Sequence, residues 1–65
     1  MIPQLNEKEI AIIRMLRQGK DSAQMAQELC LSTETIYWYR KQLLKKFEVK
    51  SVAAVVGIAI EQKLI

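Results

Sequence analysis

Two segments with the apolar spacing of helices lie only about three residues apart in this sequence of 65 residues. The first covers residues 22–29, and the second begins at Thr33, directly after Ser32, a residue type that favours a helix N-cap. A connection this short is too tight for antiparallel packing and fits two helices that cross at a steep angle. The apolar residues that such a crossing would bury are Met25, Leu29, Leu31, Ile36 and Tyr39. The sequence therefore predicts a helix-turn-helix whose second helix projects from the rest of the fold.

A further helix is predicted before this pair. Asn6 and Glu9 have the spacing of a capping box, so helix one is expected to begin at Glu7. Gly19 then supplies the left-handed residue that commonly ends a helix. The apolar stripe of helix one is expected to consist of Ile10, Ile13 and Leu16, with Ile12 beside them.

Polar N-cap candidates also mark the other helices. Asp21, or alternatively the neighbouring Ser22, is the N-cap candidate of helix two, and helix three is expected to extend to about Phe47. Helix four is expected to start after Ser51 and to run to about Lys63. Its core-facing residues are expected to be Val55, Val56, Ala59 and Ile60.

The pattern contains no strand alternation and no internal repeat. We therefore expect an all-α fold, a four-helix bundle in which helices two and three form the helix-turn-helix. The domain is expected to cover residues 6–65, after a short linker segment of residues 1–5. The longest uncharged run, residues 51–60, is shorter than the roughly twenty residues that a membrane-spanning helix needs, so no membrane segment is expected.

The composition argues against several kinds of site. The chain has no histidine and a single cysteine, Cys30. It therefore lacks the residues for an intrachain disulfide, a Cys/His zinc site or a His-based acid–base pair, and we expect neither an enzyme nor a bound cofactor or metal. Cys30 itself is expected to be a half-buried packing residue, and a lone thiol suits a reducing cytoplasm.

Positive charge is concentrated in the second half of the chain. Residues 1–36 carry four basic and five acidic side chains, whereas residues 37–65 carry six basic and two acidic ones. A half that is this basic predicts a polyanion or an acidic surface as its partner.

Helix three has an outward face that combines aromatic and basic residues. The predicted core positions of this helix are Ile36, Leu43 and Phe47. Trp38, Lys41 and Lys45 lie on the opposite side, and Tyr37 lies at the edge of that face. An exposed tryptophan is costly unless it has something to touch, so Trp38 is interpreted as a contact to a sugar–phosphate chain or a thymine methyl. The alternative is a ring that folds over onto a neighbouring apolar patch. Lys41 suits either the guanine O6 and N7 atoms or a phosphate.

The first turn of helix three and its last turn add candidate phosphate contacts. The hydroxyls of Thr33 and Thr35, together with the free backbone N–H groups of the first turn, are suited to hold a phosphate. The alternative for Thr35 is a local bond between its side chain and the backbone. Lys45 and Lys46 add positive charge near the end of the helix.

The side of helix four opposite its predicted core is unusually apolar. It carries Ala54, Gly57 and Ile58, followed by Glu61, where a solvent-facing helix would normally be charged. Small residues let a second helix come close, so these four residues are interpreted as the interface of a homodimer. The alternatives are cover by an upstream domain of a longer parent protein and a plain surface.

The sequence contains, in order, LNEKE at residues 5–9, Gly19, MAQEL at 25–29, LSTETI at 31–36, LLKKFEV at 43–49 and AIEQKLI at 59–65. With these stretches the sequence resembles the LuxR/FixJ/GerE-type DNA-binding domain of bacterial transcription regulators. The resemblance extends over residues 5–65 without a gap, and its specificity lies in the order and spacing of the stretches.

The resemblance implies a recognition helix and a dimerisation helix. Helix three would enter the major groove, and helix four would supply the dimer surface. Tyr37, Trp38 and Lys41 would stand where the family reaches base edges or groove walls. Thr35 and Lys46 would stand where it meets backbone phosphates.

The sequence departs from the family pattern on the recognition helix and elsewhere. Tyr37 stands where lysine is common, Trp38 replaces a more polar residue, and Tyr39 replaces a frequent histidine. Glu48 replaces a frequent glycine, and Ala11 a frequent glutamate. The three consecutive aromatic residues predict an altered operator sequence or more apolar contact in the groove.

The sequence therefore predicts the output domain of a bacterial transcription regulator, which binds duplex DNA with sequence specificity. The expected partners are DNA, a second copy, RNA polymerase, and a sensing or receiver domain upstream in the parent protein. One alternative is the promoter-reading region of a sigma factor, which uses a similar helix-turn-helix. Another is a protein-interaction module in which Tyr37 and Trp38 form an aromatic hot spot and the lysines meet an acidic partner.

Overall fold

The computed structural model of this chain describes residues 4–65, in which four α-helices are joined by short turns. Within that range the regular structure is helical throughout, which confirms the predicted all-α class. Of the predicted linker segment, residues 1–3 lie outside the described residues, whereas Leu5 packs against the core. None of the helices between residues 4 and 65 combines the length and the apolar character that a membrane crossing requires. The helices are α1 (Glu7–Arg17), α2 (Ser22–Leu29), α3 (Thr33–Phe47) and α4 (Val52–Glu61).

Local capping bonds explain where the helices start. In α1, Asn6 Oδ1 accepts a bond from the Glu9 backbone N–H at 2.8 Å, and Glu9 Oε1 accepts one from the Asn6 N–H at 3.0 Å. The same reciprocal pair joins Asp21 and Gln24 at the start of α2, so Asp21 is the N-cap of the two candidates. These bonds satisfy backbone donors that a helix start otherwise leaves free. The N-caps of the four helices are Asn6, Asp21, Ser32 and Ser51.

The turn between α2 and α3 has the predicted three residues. The Leu31 backbone N–H donates to the Ala26 carbonyl at 2.9 Å, which closes the last turn of α2. Cys30 takes a left-handed φ of 57° at the C-cap, and it is exposed. The prediction that Cys30 is a half-buried packing residue is therefore wrong, because the reversal of the chain at the C-cap turns this residue away from the core.

The core draws on all four helices. α2 packs against α3, and α4 packs against both α1 and α3. In α1 the buried centre is the pair Ile12 and Ile13, whereas Ile10 and Leu16 of the predicted stripe are only half-buried. The core positions predicted for α3 are confirmed. The buried apolar residues are Ile12, Ile13, Met25, Ala26, Ile36, Leu43, Phe47, Val55 and Ala59.

The fourth helix is rotated from its predicted orientation. Val55 and Ala59 are fully buried as expected, but Ile60 is 45% exposed, so the prediction that Ile60 faces the core is wrong. Ile58, which was expected on the outward side, is half-buried and packs against the core. Val55 and Ala59 lie at the centre of the buried face. Because an α-helix rotates by about 100° per residue, Ile60 then points towards solvent and Ile58 towards the core. The helix ends at Glu61, slightly earlier than predicted.

Candidate nucleic-acid interface

The outward face of α3 carries two exposed aromatic rings and two exposed lysines. Tyr37 is 53% exposed and Trp38 is 56% exposed. Lys41 and Lys45 are also exposed, and within residues 4–65 neither has a carboxylate within 4 Å. The predicted outward orientation of these four residues is confirmed. The face thus combines apolar surface with two positive charges that no neighbouring acid neutralises.

The Trp38 ring is supported by its neighbour Tyr39. The two rings meet edge to face, with centroids 5.1 Å apart and planes inclined by 79°. Tyr39 is half-buried and packs against the core, so it offers Trp38 an anchored surface. An edge-to-face pair of this kind contributes about 0.5–1.5 kcal/mol beyond simple burial. More than half of the Trp38 side chain still faces outward and is available to a partner.

The two threonines at the start of α3 have different surroundings. The Ser32 Oγ accepts from the Thr35 backbone N–H at 3.1 Å and shares a second hydrogen bond with Thr35 Oγ1 at 2.8 Å. The Thr35 hydroxyl therefore makes a local hydrogen bond, but to the Ser32 side chain rather than to a backbone group. Thr33 is exposed in the first turn, where backbone N–H groups have no partner within a helix.

Lys46 forms an ion pair that ties the end of α3 to the start of α1. Its Nζ lies 2.7 Å from Glu9 Oε2 and 2.8 Å from Glu9 Oε1, and it also donates to the Gln4 carbonyl at 3.3 Å. Glu9 is only 3% exposed, and it accepts a bond from the Asn6 N–H as well. The sequence identified Glu9 as a capping residue and Lys46 as a phosphate contact, but it missed their contact. The two residues are 37 positions apart, so no local pattern signals it.

Arg40 links α2 to the outward face of α3. Its Nη1 donates to Ser22 Oγ at 2.7 Å, and Ser22 is only 6% exposed. On its other side, the guanidinium carbon lies 5.8 Å from the centroid of the Tyr37 ring, within the range of a cation–π contact. The sequence pattern did not predict these two contacts of Arg40.

An open groove continues the outward face of α3 to the start of α4. Its lining is mostly apolar and includes Leu44 and Val52, together with three basic side chains. Positive charge therefore extends beyond the lysines of α3 itself. The lining residues are Tyr37, Arg40, Lys41, Leu44, Lys50, Ser51 and Val52.

Comparison with known proteins gives one family and several relatives. The family model GerE, of the bacterial regulatory proteins of the luxR family, matches residues 3–59. The chain is 38% identical over 61 residues to the transcriptional activator protein ExaE of Pseudomonas putida, which covers 94% of this chain and 28% of ExaE. It is 30% identical over 60 residues to the DNA-binding transcriptional activator EvgA of Escherichia coli, with 92% of this chain and 29% of EvgA covered. It is 27% identical over 64 residues to the transcription regulator BvgA of Bordetella pertussis, with 98% of this chain and 31% of BvgA covered.

The chain spans less than a third of the length of these curated relatives. The family match runs from before α1 into α4, so it includes the helix-turn-helix and confirms the resemblance noted in the sequence. The family comprises regulatory proteins rather than enzymes. From the match over residues 3–59 and the four helices that the structure describes, this chain belongs to the luxR family of bacterial regulatory proteins.

Proposed function

We propose that this chain binds duplex DNA with sequence specificity, as the output domain of a bacterial transcription regulator. The observation that carries the proposal is the outward face of α3, where exposed Tyr37 and Trp38 stand beside two exposed lysines. Neither lysine has a carboxylate within 4 Å among residues 4–65. A major groove about 12 Å wide admits an α-helix, and its walls are lined with phosphates. Aromatic rings and cations on one exposed helical face suit both the walls and the apolar thymine methyls of that groove.

In this arrangement the residues of the face have distinct roles. Tyr37 and Trp38 contact the groove wall or thymine methyls, since their rings offer apolar area. Lys41 donates to base edges deeper in the groove, and Lys45, one turn later, meets the phosphate chain.

Further phosphate contacts are proposed at both ends of α3. Thr33, together with the N–H groups of the first turn, is suited to bind a phosphate. The Thr35 hydroxyl contacts the same phosphate while it keeps its hydrogen bond to the Ser32 hydroxyl. The Lys46 side chain is 38% exposed, which leaves part of it available to a phosphate while it remains paired with Glu9.

The proposed function includes partners outside this chain. The chain spans less than a third of the length of these relatives, so we propose a sensing or receiver domain upstream in the parent protein. We also propose that the protein acts in the cytoplasm. Two copies joined through α4 would read two half-sites about one helical turn apart. RNA polymerase is a further proposed partner. The luxR family match favours this role over the sigma-factor alternative.

A protein-interaction module is the second candidate function. The observation in its favour is the pair of adjacent aromatic side chains, each more than half exposed, because such rings are enriched in interface hot spots. An acidic partner would then meet the lysines of α3.

Salt-dependent DNA binding separates the two candidates. In fluorescence anisotropy with a mixed-sequence duplex, we expect the affinity to fall steeply with salt as condensed counterions are released. Trp38 is the only tryptophan, so quenching of its emission reports directly on the outward face of α3. Heparin is the control, because it is a polyanion without bases and should bind with a smaller change in Trp38 emission. An absence of DNA binding even at low salt would contradict the proposal and favour the protein-interaction module.

The proposed dimer surface on α4 gives a second testable expectation. Gly57 and Glu61 are exposed, whereas Ala54 and Ile58 are half-buried, so the centre of the accessible face lies at Gly57. Apart from the two chain neighbours of Gly57 and the backbone of its own helix, no heavy atom of residues 4–65 lies within 4 Å of the position that a Cβ there would take. Gly57→Gln should therefore stabilise the monomer, by up to about 1 kcal/mol, because glycine is a poor helix former.

The same substitution should weaken self-association at least ten-fold, since a longer side chain prevents the close approach of a second helix. Sedimentation velocity over a range of concentrations, with and without DNA, measures this effect. Ala23→Gln, at an exposed position on α2, is the matched control and should leave association unchanged. Unaltered association of the Gly57 variant would exclude α4 as the dimer surface.

A further inference from the structure

The contacts of Arg40 form a continuous path from the interior of the helix-turn-helix to its outward face. The path begins at Ser22, in the first turn of α2, which is almost completely buried. Its hydroxyl accepts from Arg40 Nη1 at 2.7 Å. It ends at the Tyr37 ring, whose centroid lies 5.8 Å from the Arg40 guanidinium carbon. Three residues from two helices are thereby connected.

The chemistry of the guanidinium explains how one side chain serves both contacts. The group is planar, with its N–H donors in the plane and its faces free to stack on an aromatic ring. The in-plane bond to Ser22 anchors the group to α2 and restricts its rotation. The Tyr37 ring then meets a cation whose position is fixed by the fold rather than by the solvent.

Among residues 4–65, Arg40 makes the only cation–π contact with the Tyr37 ring, and this contact supports the ring. A tyrosine on a helix has two accessible χ1 rotamers, and each sends the ring to a different place on the surface. Tyr37 is 53% exposed, so core packing restrains its ring far less than it restrains the half-buried Tyr39. A cation–π contact on one side selects the rotamer that lies over Arg40.

We propose that Arg40 is a positioning residue, which is held by Ser22 and fixes the Tyr37 ring on the outward face of α3. Through that ring it sets part of the sequence preference for DNA. The first part concerns the free protein alone, and the second part rests on the proposed function. Arg40 itself is half-buried and one of its N–H groups is bonded to Ser22, so we assign its effect on DNA to the contact with Tyr37.

The first experiment tests the positioning in the free protein. The chain contains two tyrosines, so ring-labelled tyrosine gives two sets of NMR signals, and Tyr37→Phe assigns them. Arg40→Met and Ser22→Ala should each move the Tyr37 ring signals towards those of an unstacked tyrosine and leave Tyr39 in place. Lys45→Met removes a charge from the same helix without touching the pair and is the matched control. If Arg40→Met does not fold, the measurement is made on Ser22→Ala alone. Unchanged Tyr37 signals in the folded variants would overturn the proposal.

The second experiment tests the route to DNA by a double-mutant cycle. Arg40→Met should lower the ratio of affinities for a preferred and a mixed-sequence duplex by about two- to five-fold, the size expected from one exposed cation–π contact. The same change should have no effect in a Tyr37→Leu background. The dependence of affinity on salt should stay as in the unaltered protein, because no phosphate contact is removed.

Other outcomes of the cycle contradict the proposal in identifiable ways. A loss that persists in the Tyr37→Leu background, with a salt slope reduced by about one, would show that Arg40 contacts a phosphate itself. If the unaltered protein binds no DNA, the proposed function and the specificity part fail together. The ring signals of Tyr37 then still decide whether Arg40 positions that side chain.

Discussion

Lys46→Met is expected to lower the free energy of unfolding by about 2–3 kcal/mol, because it leaves the buried Glu9 carboxylate without its partner charge. Glu9 is 3% exposed, and Lys46 Nζ contacts both of its carboxylate oxygens. The partial exposure of Lys46 keeps the expected loss below that of a fully buried pair. Small domains have only several kcal/mol of stability in total, so the effect should be evident in a urea unfolding curve.

Glu9→Gln provides the matched control for this prediction. Glutamine still offers an oxygen to the Asn6 N–H, so the capping bond survives while the negative charge is removed. In the Glu9→Gln background, Lys46→Met should cost much less than it does alone, because no unpaired charge remains. An equal cost in both backgrounds would mean that Lys46 stabilises the fold through some group other than Glu9.

The same Lys46 variant also tests its proposed contact with a phosphate. At a temperature where the variant is folded, its affinity for all duplexes should fall alike and the salt slope should decrease by about one. An unchanged slope would remove Lys46 from the DNA backbone contacts and leave it a purely structural role.

The second large effect is expected at the centre of the outward face of α3. Lys41→Ala should weaken binding to the preferred operator by about 1–3 kcal/mol and should alter the preference at one base step, because a base contact is lost. A selection of operator sequences by the unaltered protein and by the variant measures both quantities. Lys41 is exposed and has no acid within 4 Å among residues 4–65, so the substitution should leave the fold intact.

Lys45 offers the matched control, one turn further along the same face. Lys45→Ala should weaken binding to every sequence by a similar factor and reduce the salt slope by about one, as expected for a phosphate contact. If Lys41→Ala behaves in that same uniform way, Lys41 contacts a phosphate and another residue supplies the base recognition.

Most of the exposed face of α3 was predictable because periodicity alone decides it. Ile36, Leu43 and Phe47 are apolar and share one side of the helix, which leaves Trp38 and Lys41 on the other side. Prediction failed on α4, where apolar residues occur on nearly every side. Both Ile58 and Ile60 suited a core position, and only the packing of α4 on α1 and α3 decided between them.

The sequence by itself determined the four helices, their starting residues to within one position, and the three-residue turn of the helix-turn-helix. Those features depend on bonds within about four residues, such as Asn6 with Glu9, so a local pattern contains the necessary information. Only the tertiary structure decided that Lys46 pairs with Glu9 and that Arg40 donates to Ser22. Those pairings depend on which faces of separate helices meet, and that is settled by the packing of the whole core rather than by any single segment.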